Sequence, residues 1–168
     1  FYCPIFDKSH AMNNGYFYFP HPANEPVLNY EPGSPERKAL KEQLSRLKST
    51  VADIPMYIGA EEVRTGKKVP LHPPHEHAHV LAYYHNGEKQ HVEQAIRAAL
   101  AAREKWAATS WEQRASVFLK AAELLSTKYR ALTNAATMLG QSKNAYQAEI
   151  DSACEIIDFL RFNVKFMT

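Results

Sequence analysis

The chain has 168 residues, a length that suits a single domain. Its composition, 45% hydrophobic and 23% charged, is ordinary for a globular protein. The formal net charge of +2 argues against a nucleic acid partner, and no apolar run is long enough to predict a membrane span. The two cysteines, Cys3 and Cys154, do not form the pattern of a disulfide framework, so we expect a reducing intracellular compartment.

The front of the chain divides into a leader and an arm. Residues 1–11 have neither the apolar core of a signal peptide nor the composition of a transit peptide. Because Met12 is a possible natural start, we expect residues 1–11 to be a non-native leader. Residues 12–33 are rich in aromatic residues, Pro and Asn, and have no helical period. They predict an extended arm, which must lie on another surface because it has no second layer of its own.

The next segment predicts one helix and a small β element. Ser34 is a helix cap followed by Pro35, and Pro55 is a stop signal. Between them, one helix face is predicted to carry Leu40, Leu44, Leu47 and Val51. Three short strands are predicted at 56–59, 68–71 and 80–84. Such strands form a small hairpin element rather than a sheet with its own core.

Helices are predicted from Glu88 onward. The first has a stripe near its start, Val92, Ala95, Ile96, Ala99 and Leu100, and ends near Trp106. Ser110 and Gln113 form a capping box that begins a second helix. A third helix is predicted to stop at Gly140, and a fourth begins near Asn144 and continues to the end.

The last helix has two apolar faces. The predicted core face carries Ile150, Cys154, Ile157, Arg161 and Val164. The opposite face carries Glu155, Phe159, Phe162 and Phe166. Since exposed aromatic patches are avoided, we expect a further part of the protein to cover that face. Glu155 has two interpretations: a helix-edge carboxylate paired with a Lys or Arg, or a carboxylate that faces a ligand cavity and binds a substrate cation.

Other chemistry-bearing patterns are weak. A histidine cluster, His72, His75, His77 and His79, lacks a familiar metal-ligand spacing, although strand alternation would place three of them on one side. A polar loop is the interpretation we favour over a zinc site. No two glycines are close enough for a phosphate-binding loop. Cys154 lies on an apolar stripe, which disfavours the thiolate that a nucleophile requires.

Several segments together resemble one enzyme family. The run AEIDSACEIIDFLRFN at 148–163, the segments NEPVL at 24–28 and GSPER at 33–37, and AALAAR at 98–103 closely resemble Δ1-pyrroline-5-carboxylate dehydrogenases. These are aldehyde dehydrogenases that oxidise glutamate γ-semialdehyde in proline catabolism. The resemblance runs from about Asn24 to the end of the chain.

The resemblance implies an α+β region, mainly helical with a small β-hairpin element, within a Rossmann-like aldehyde dehydrogenase fold. Residues 34–168 would be the truncated N-terminal helical and β portion of that domain. NAD is the implied cofactor and a homo-oligomer the implied assembly, in the bacterial cytoplasm or the mitochondrial matrix. The family's nucleophilic Cys, general-base Glu and NAD-binding loop find no match here, so we expect no catalysis from these residues alone. Glu155 matches a family carboxylate near the substrate amino group. The alternative is a free-standing helical interaction module derived from such an enzyme.

Overall fold

The computed structural model describes residues 18–19 and 21–167, so the predicted leader and the front of the arm lie outside the described residues. The architecture is α+β and mainly helical, which confirms the predicted fold class. The arm from residue 21 to residue 33 has no regular secondary structure. In the described part of the chain, no helix is long and apolar enough to cross a membrane.

Helix α1 spans Pro35–Ser49, and Ser34 caps it as predicted by accepting a hydrogen bond from the backbone N–H of Arg37. Its buried face packs on α4 (Arg130–Gln141), where Leu40 meets Ala135 and Tyr30 of the arm. The prediction that Val51 continues this face is wrong. Thr50 is already extended, so the helix ends first.

Within the described residues, five short strands form two small sheets. Strands β1 (Ala52–Ile54), β5 (Ala82–His85) and β4 (Lys68–Leu71) form one sheet, in which β5 is central, parallel to β1 and antiparallel to β4. Strands β2 (Met56–Ile58) and β3 (Glu61–Val63) form a separate antiparallel hairpin. The sequence predicted β2, β4 and β5 but missed β1 and β3, which are mostly exposed and contain Asp or Glu, residues that are depleted in strands.

Helix α2 spans Lys89–Ala108, and α3 spans Trp111–Ser126. The side chain of Ser110 caps α3 by accepting a hydrogen bond from the backbone N–H of Gln113, which is one half of the predicted capping box. No residue of α2 is buried. The apolar residues predicted to form a stripe on α2 are therefore exposed to solvent in this structure: Ile96 is 54% exposed and Leu100 is 60% exposed.

Helix α4 does not stop at Gly140. It continues to Gln141, and Ser142 takes the left-handed conformation that ends it, with φ of 58°. The side-chain oxygen of Ser142 lies 2.7 Å from Nδ1 of His75, a contact that holds this turn in place. The glycine is thus an interior helix residue, and the prediction of a glycine cap is wrong.

The last helix is interrupted by a π-helical turn. Asn144 caps α5 (Ala145–Ala148) in a reciprocal pair with Gln147, as the predicted start requires. The π-helical turn Glu149–Cys154 follows, and α6 (Glu155–Met167) completes the helix. The sequence predicted one uninterrupted α-helix, since the wider turn leaves no signal in the apolar spacing.

Candidate functional site

An open groove with a volume of about 730 Å³ runs along the outward side of the last helix. One side is formed by the π-helical turn and α6, and the other by the arm at Asn24, Glu25 and Val27. All four residues predicted for the outward face line this groove, namely Glu155, Phe159, Phe162 and Phe166. The structure thus brings the predicted face together as one concave surface.

Glu155 is the first residue of α6, at the junction with the π-helical turn. It is exposed and lines the groove. Among the described residues, no hydrogen bond or ion pair engages its carboxylate. A cationic group that entered the groove would therefore meet a carboxylate that is not already neutralised by a neighbouring side chain.

Aromatic rings give the groove its apolar character. Phe162 is half-buried, whereas Phe159 is 58% exposed and Phe166 is 78% exposed. The rings of Phe162 and Phe166 lie 6.3 Å apart between centroids and are tilted by 48°. Aromatic faces attract cations as well as apolar groups, so this lining is compatible with a small organic cation.

The π-helical turn decides which residues face the interior. Residues five apart are aligned in such a turn, and the Cys154 sulfur lies 3.8 Å from Oε1 of Glu149. Glu149 consequently occupies a fully buried position. Ile150, which the sequence placed on the core face, is only half-buried and lines the groove instead.

Glu149 is the centre of a buried polar network. It forms an ion pair with Arg130 and accepts hydrogen bonds from Tyr30 Oη at 2.7 Å, Asn134 Nδ2 at 2.7 Å and the backbone N–H of Leu28 at 2.8 Å. Burial alone would raise the pKa of Glu149, but the hydrogen bonds, led by that from Arg130, outweigh it and lower the pKa. The network therefore holds a charged carboxylate in the interior.

The same network fastens the arm to the helices. Arg130 also pairs with Glu25 and donates to the carbonyl of Pro26 at 2.6 Å, and Arg161 donates to Glu25 at 2.6 Å. Glu149, Arg130 and Glu25 were not singled out from the sequence. We expect the arm to need a surface, and α1, α4 and the last helix of the same chain form that surface. No spacing pattern in a sequence connects residues this far apart, so the only sign of this network in the sequence is that charged residues stand among apolar ones.

Cys154 is buried next to Glu149. Burial, followed by the nearby charge of Glu149, raises the pKa of its thiol to about 11. Its burial and raised pKa both disfavour the thiolate that a nucleophile requires.

The four histidines of the predicted cluster lie in one loop. His72, His75, His77 and His79 lie in the loop between β4 and β5, so strand alternation does not apply to them. Nδ1 of His72 is 2.9 Å from the backbone oxygen of His79, a contact within the loop. Across the described residues, no group of three or more His, Cys, Asp or Glu side chains is arranged to hold a metal ion. The polar-loop interpretation is the one the geometry supports.

Comparison with known proteins identifies relatives of this architecture. Residues 62–167 match the aldehyde dehydrogenase family. The Δ1-pyrroline-5-carboxylate dehydrogenase of Agaricus bisporus is 47% identical over 154 residues, which cover 90% of this chain and 28% of the relative. The mitochondrial Δ1-pyrroline-5-carboxylate dehydrogenase of Homo sapiens is 47% identical over 144 residues, 86% of this chain and 26% of the relative.

A solved structure agrees with these relatives. The Δ-pyrroline-5-carboxylate dehydrogenase of Mycobacterium tuberculosis, crystallised with NAD and cobalamin, matches with a TM-score of 0.89 and 44% identity. The match covers 92% of this chain and 29% of that one. The chain thus spans less than a third of the length of the relatives it matches.

Proposed function

Since the chain belongs to the aldehyde dehydrogenase family, we propose that it is the N-terminal portion of an NAD-dependent L-glutamate γ-semialdehyde (Δ1-pyrroline-5-carboxylate) dehydrogenase. The enzyme would oxidise the semialdehyde to glutamate in proline catabolism. Relatives at 47% identity that carry this name support the proposal, although the chain spans only 28% of the Agaricus bisporus protein. Relatives named mitochondrial support a mitochondrial location if the source is eukaryotic, and a bacterial source would place the enzyme in the cytoplasm.

The observation that carries the proposal is that the carboxylate of Glu155 lies in an aromatic groove and has no hydrogen-bond or ion-pair partner among the described residues. Glutamate γ-semialdehyde carries an α-ammonium group at the end of the molecule opposite the aldehyde. Glu155 would pair with that ammonium, and the phenylalanine rings would cover the methylene chain between the two ends. In this role Glu155 binds and orients the substrate and takes no part in the oxidation.

The described residues do not fit a dinucleotide site. Their glycines, Gly33, Gly59, Gly66, Gly87 and Gly140, are distant from one another in sequence and form no glycine-rich loop. NAD, which accepts hydride in such enzymes, would be held by the remainder of the protein. Because Cys154 is buried and protonated, we propose that the 168 residues alone have no activity.

The test is Glu155→Gln in the full-length enzyme. Loss of a charge-assisted pair costs about 1.5–3 kcal/mol, so KM for the semialdehyde should rise by about tenfold or more while KM for a simple aliphatic aldehyde stays constant. Glu123→Gln is the matched control, because Glu123 is an exposed carboxylate on α3 that pairs with Lys120 away from the groove. Equal changes for both aldehydes would contradict the assignment of Glu155.

A free-standing helical interaction module is the second candidate. The exposed apolar side of α2, with Val92, Ile96 and Leu100, favours it because such a surface suits a protein partner. In the enzyme, the same surface would be covered by the remainder of the chain or by another copy in a homo-oligomer. The encoding reading frame separates the two: continuation into a nucleophilic cysteine and an NAD-binding loop supports the enzyme, whereas a stop codon after Thr168 supports the module.

A further inference from the structure

We propose that the arm at residues 24–28 is a fixed wall of the substrate groove, and that Asp158 is the positioning residue that holds this wall opposite Glu155. The inference rests on the proposed function, since it concerns the groove in which the semialdehyde would bind.

Asp158 is fully engaged by the arm. One carboxylate oxygen accepts a hydrogen bond from Asn24 Nδ2 at 2.7 Å, and the other accepts one from the backbone N–H of Glu25 at 2.7 Å. Residues three apart on a helix lie on the same side, so Asp158 lies next to Glu155. These two neighbouring carboxylates of α6 thus differ: Asp158 accepts hydrogen bonds from the arm, whereas Glu155 has no partner among the described residues.

A second set of contacts holds the arm at Glu25 and at Leu28. The side chain of Glu25 is 8% exposed and pairs with both Arg130 and Arg161. At Leu28 the backbone N–H donates to Glu149. Because residues 21–33 of the arm have no helix or strand hydrogen bonds of their own, contacts with side chains of the helices, including the hydrogen bond from Arg130 to the carbonyl of Pro26, hold its path.

The position of the arm would affect how tightly the semialdehyde binds. The arm contributes Asn24, Glu25 and Val27 to the groove, so its distance from α6 determines how wide the groove is beside Glu155. A displaced arm would leave the ammonium less confined and better hydrated, which weakens its pairing with Glu155. The contacts between Asp158 and the arm would not reach the aldehyde group that reacts. Loosening them should therefore change KM for the semialdehyde and leave kcat nearly constant.

A polarity swap in the full-length enzyme tests the proposal. In Asp158→Asn, the side-chain N–H of the new residue faces a second donor, either the side-chain amide of Asn24 or the backbone N–H of Glu25. In Asn24→Asp, two carboxylates face each other. Each single variant loses a charge-assisted hydrogen bond, so KM for the semialdehyde should rise about fivefold to tenfold, with kcat within about twofold. The double variant Asn24→Asp, Asp158→Asn restores a donor facing a carboxylate, and its KM should return to within about twofold of the wild-type value. KM for an aliphatic aldehyde should not move in any of them.

The outcomes separate this inference from the proposed function. If Glu155→Gln raises the semialdehyde KM but neither single swap does, or the double variant fails to recover, the wall proposal is wrong and the substrate assignment survives. If Glu155→Gln leaves that KM unchanged, the substrate assignment fails, whatever the swap variants do. Should Asp158→Asn not fold, Asn24→Ala takes its place, because it removes only one donor from an exposed residue. An unchanged KM in Asn24→Ala would then overturn the wall proposal.

Discussion

Arg130 and Glu149, nineteen residues apart, form an ion pair in the interior of the protein, where side chains of both residues are nearly or fully inaccessible to solvent. The pair joins α4 to the π-helical turn and, through Glu25 and Leu28, ties both to the arm. A charge buried without its partner is costly, so each residue of the pair makes the other necessary. The pair therefore connects the core to the wall of the groove.

Glu149→Gln should destabilise the full-length protein. The substitution keeps the shape of the side chain but removes one of the two carboxylate charges that pair with Arg130, the other being that of Glu25. Breaking a buried pair from one side costs about 3–5 kcal/mol, and the remaining pair with Glu25 places the expected cost at the lower end. Thermal unfolding should show a lower midpoint than that of the wild type. Asp151→Asn is the control, because Asp151 pairs with Lys143 at the surface and should change the midpoint little. Equal midpoints for wild type and Glu149→Gln would contradict the role of the buried pair.

The contribution of Glu149 should also depend on pH. Its pKa is lowered in the folded protein from an ordinary value of 4.5, so the unfolded chain binds its proton first as pH falls. The stabilisation is therefore complete above pH 4.5 and is lost below it, towards the folded pKa. Midpoints of wild type and Glu149→Gln, measured from pH 7 downward, should differ by a constant amount until about pH 4.5 and converge below it. A gap that closes above pH 6 would have another cause.

Features of this site that are formed by residues close together in the sequence could be predicted, whereas features formed by residues far apart in the sequence could not. The sequence predicts the caps at Ser34 and Ser110 and the start of the last helix near Asn144, because each involves residues within three positions. The outward face of the last helix was predicted because it lies within α6, where the α-helical period holds. The network around Glu149 was not, because a π-helical turn shifts the register and its partners lie up to 121 residues away.

Cys154 should resist alkylation in the native protein. Burial raises its pKa to about 11, so the reactive thiolate is scarce at pH 8, and the sulfur lies inside the network next to Glu149 and Arg130. Iodoacetamide treatment followed by peptide mass spectrometry should find Cys154 unmodified in the folded full-length protein and modified after denaturation in urea. Rapid modification of the native protein at pH 8 would mean that the thiol is accessible and ionised. In that case Cys154 would be a candidate nucleophile.

The apolar side of α2 should be buried in the full-length protein. Ile96 is 54% exposed here, and Val92 and Leu100 lie on the same side of the helix at spacings of four. If the remainder of the enzyme or another copy packs there, Ile96→Glu would place an unpaired charge in the contact and lower the thermal midpoint and the soluble yield. Gln94→Glu is the control, since residues two apart on a helix point to different sides. A soluble Ile96→Glu protein with the wild-type midpoint would show that this side of α2 faces solvent, which would favour an accessible interaction surface over a covered one.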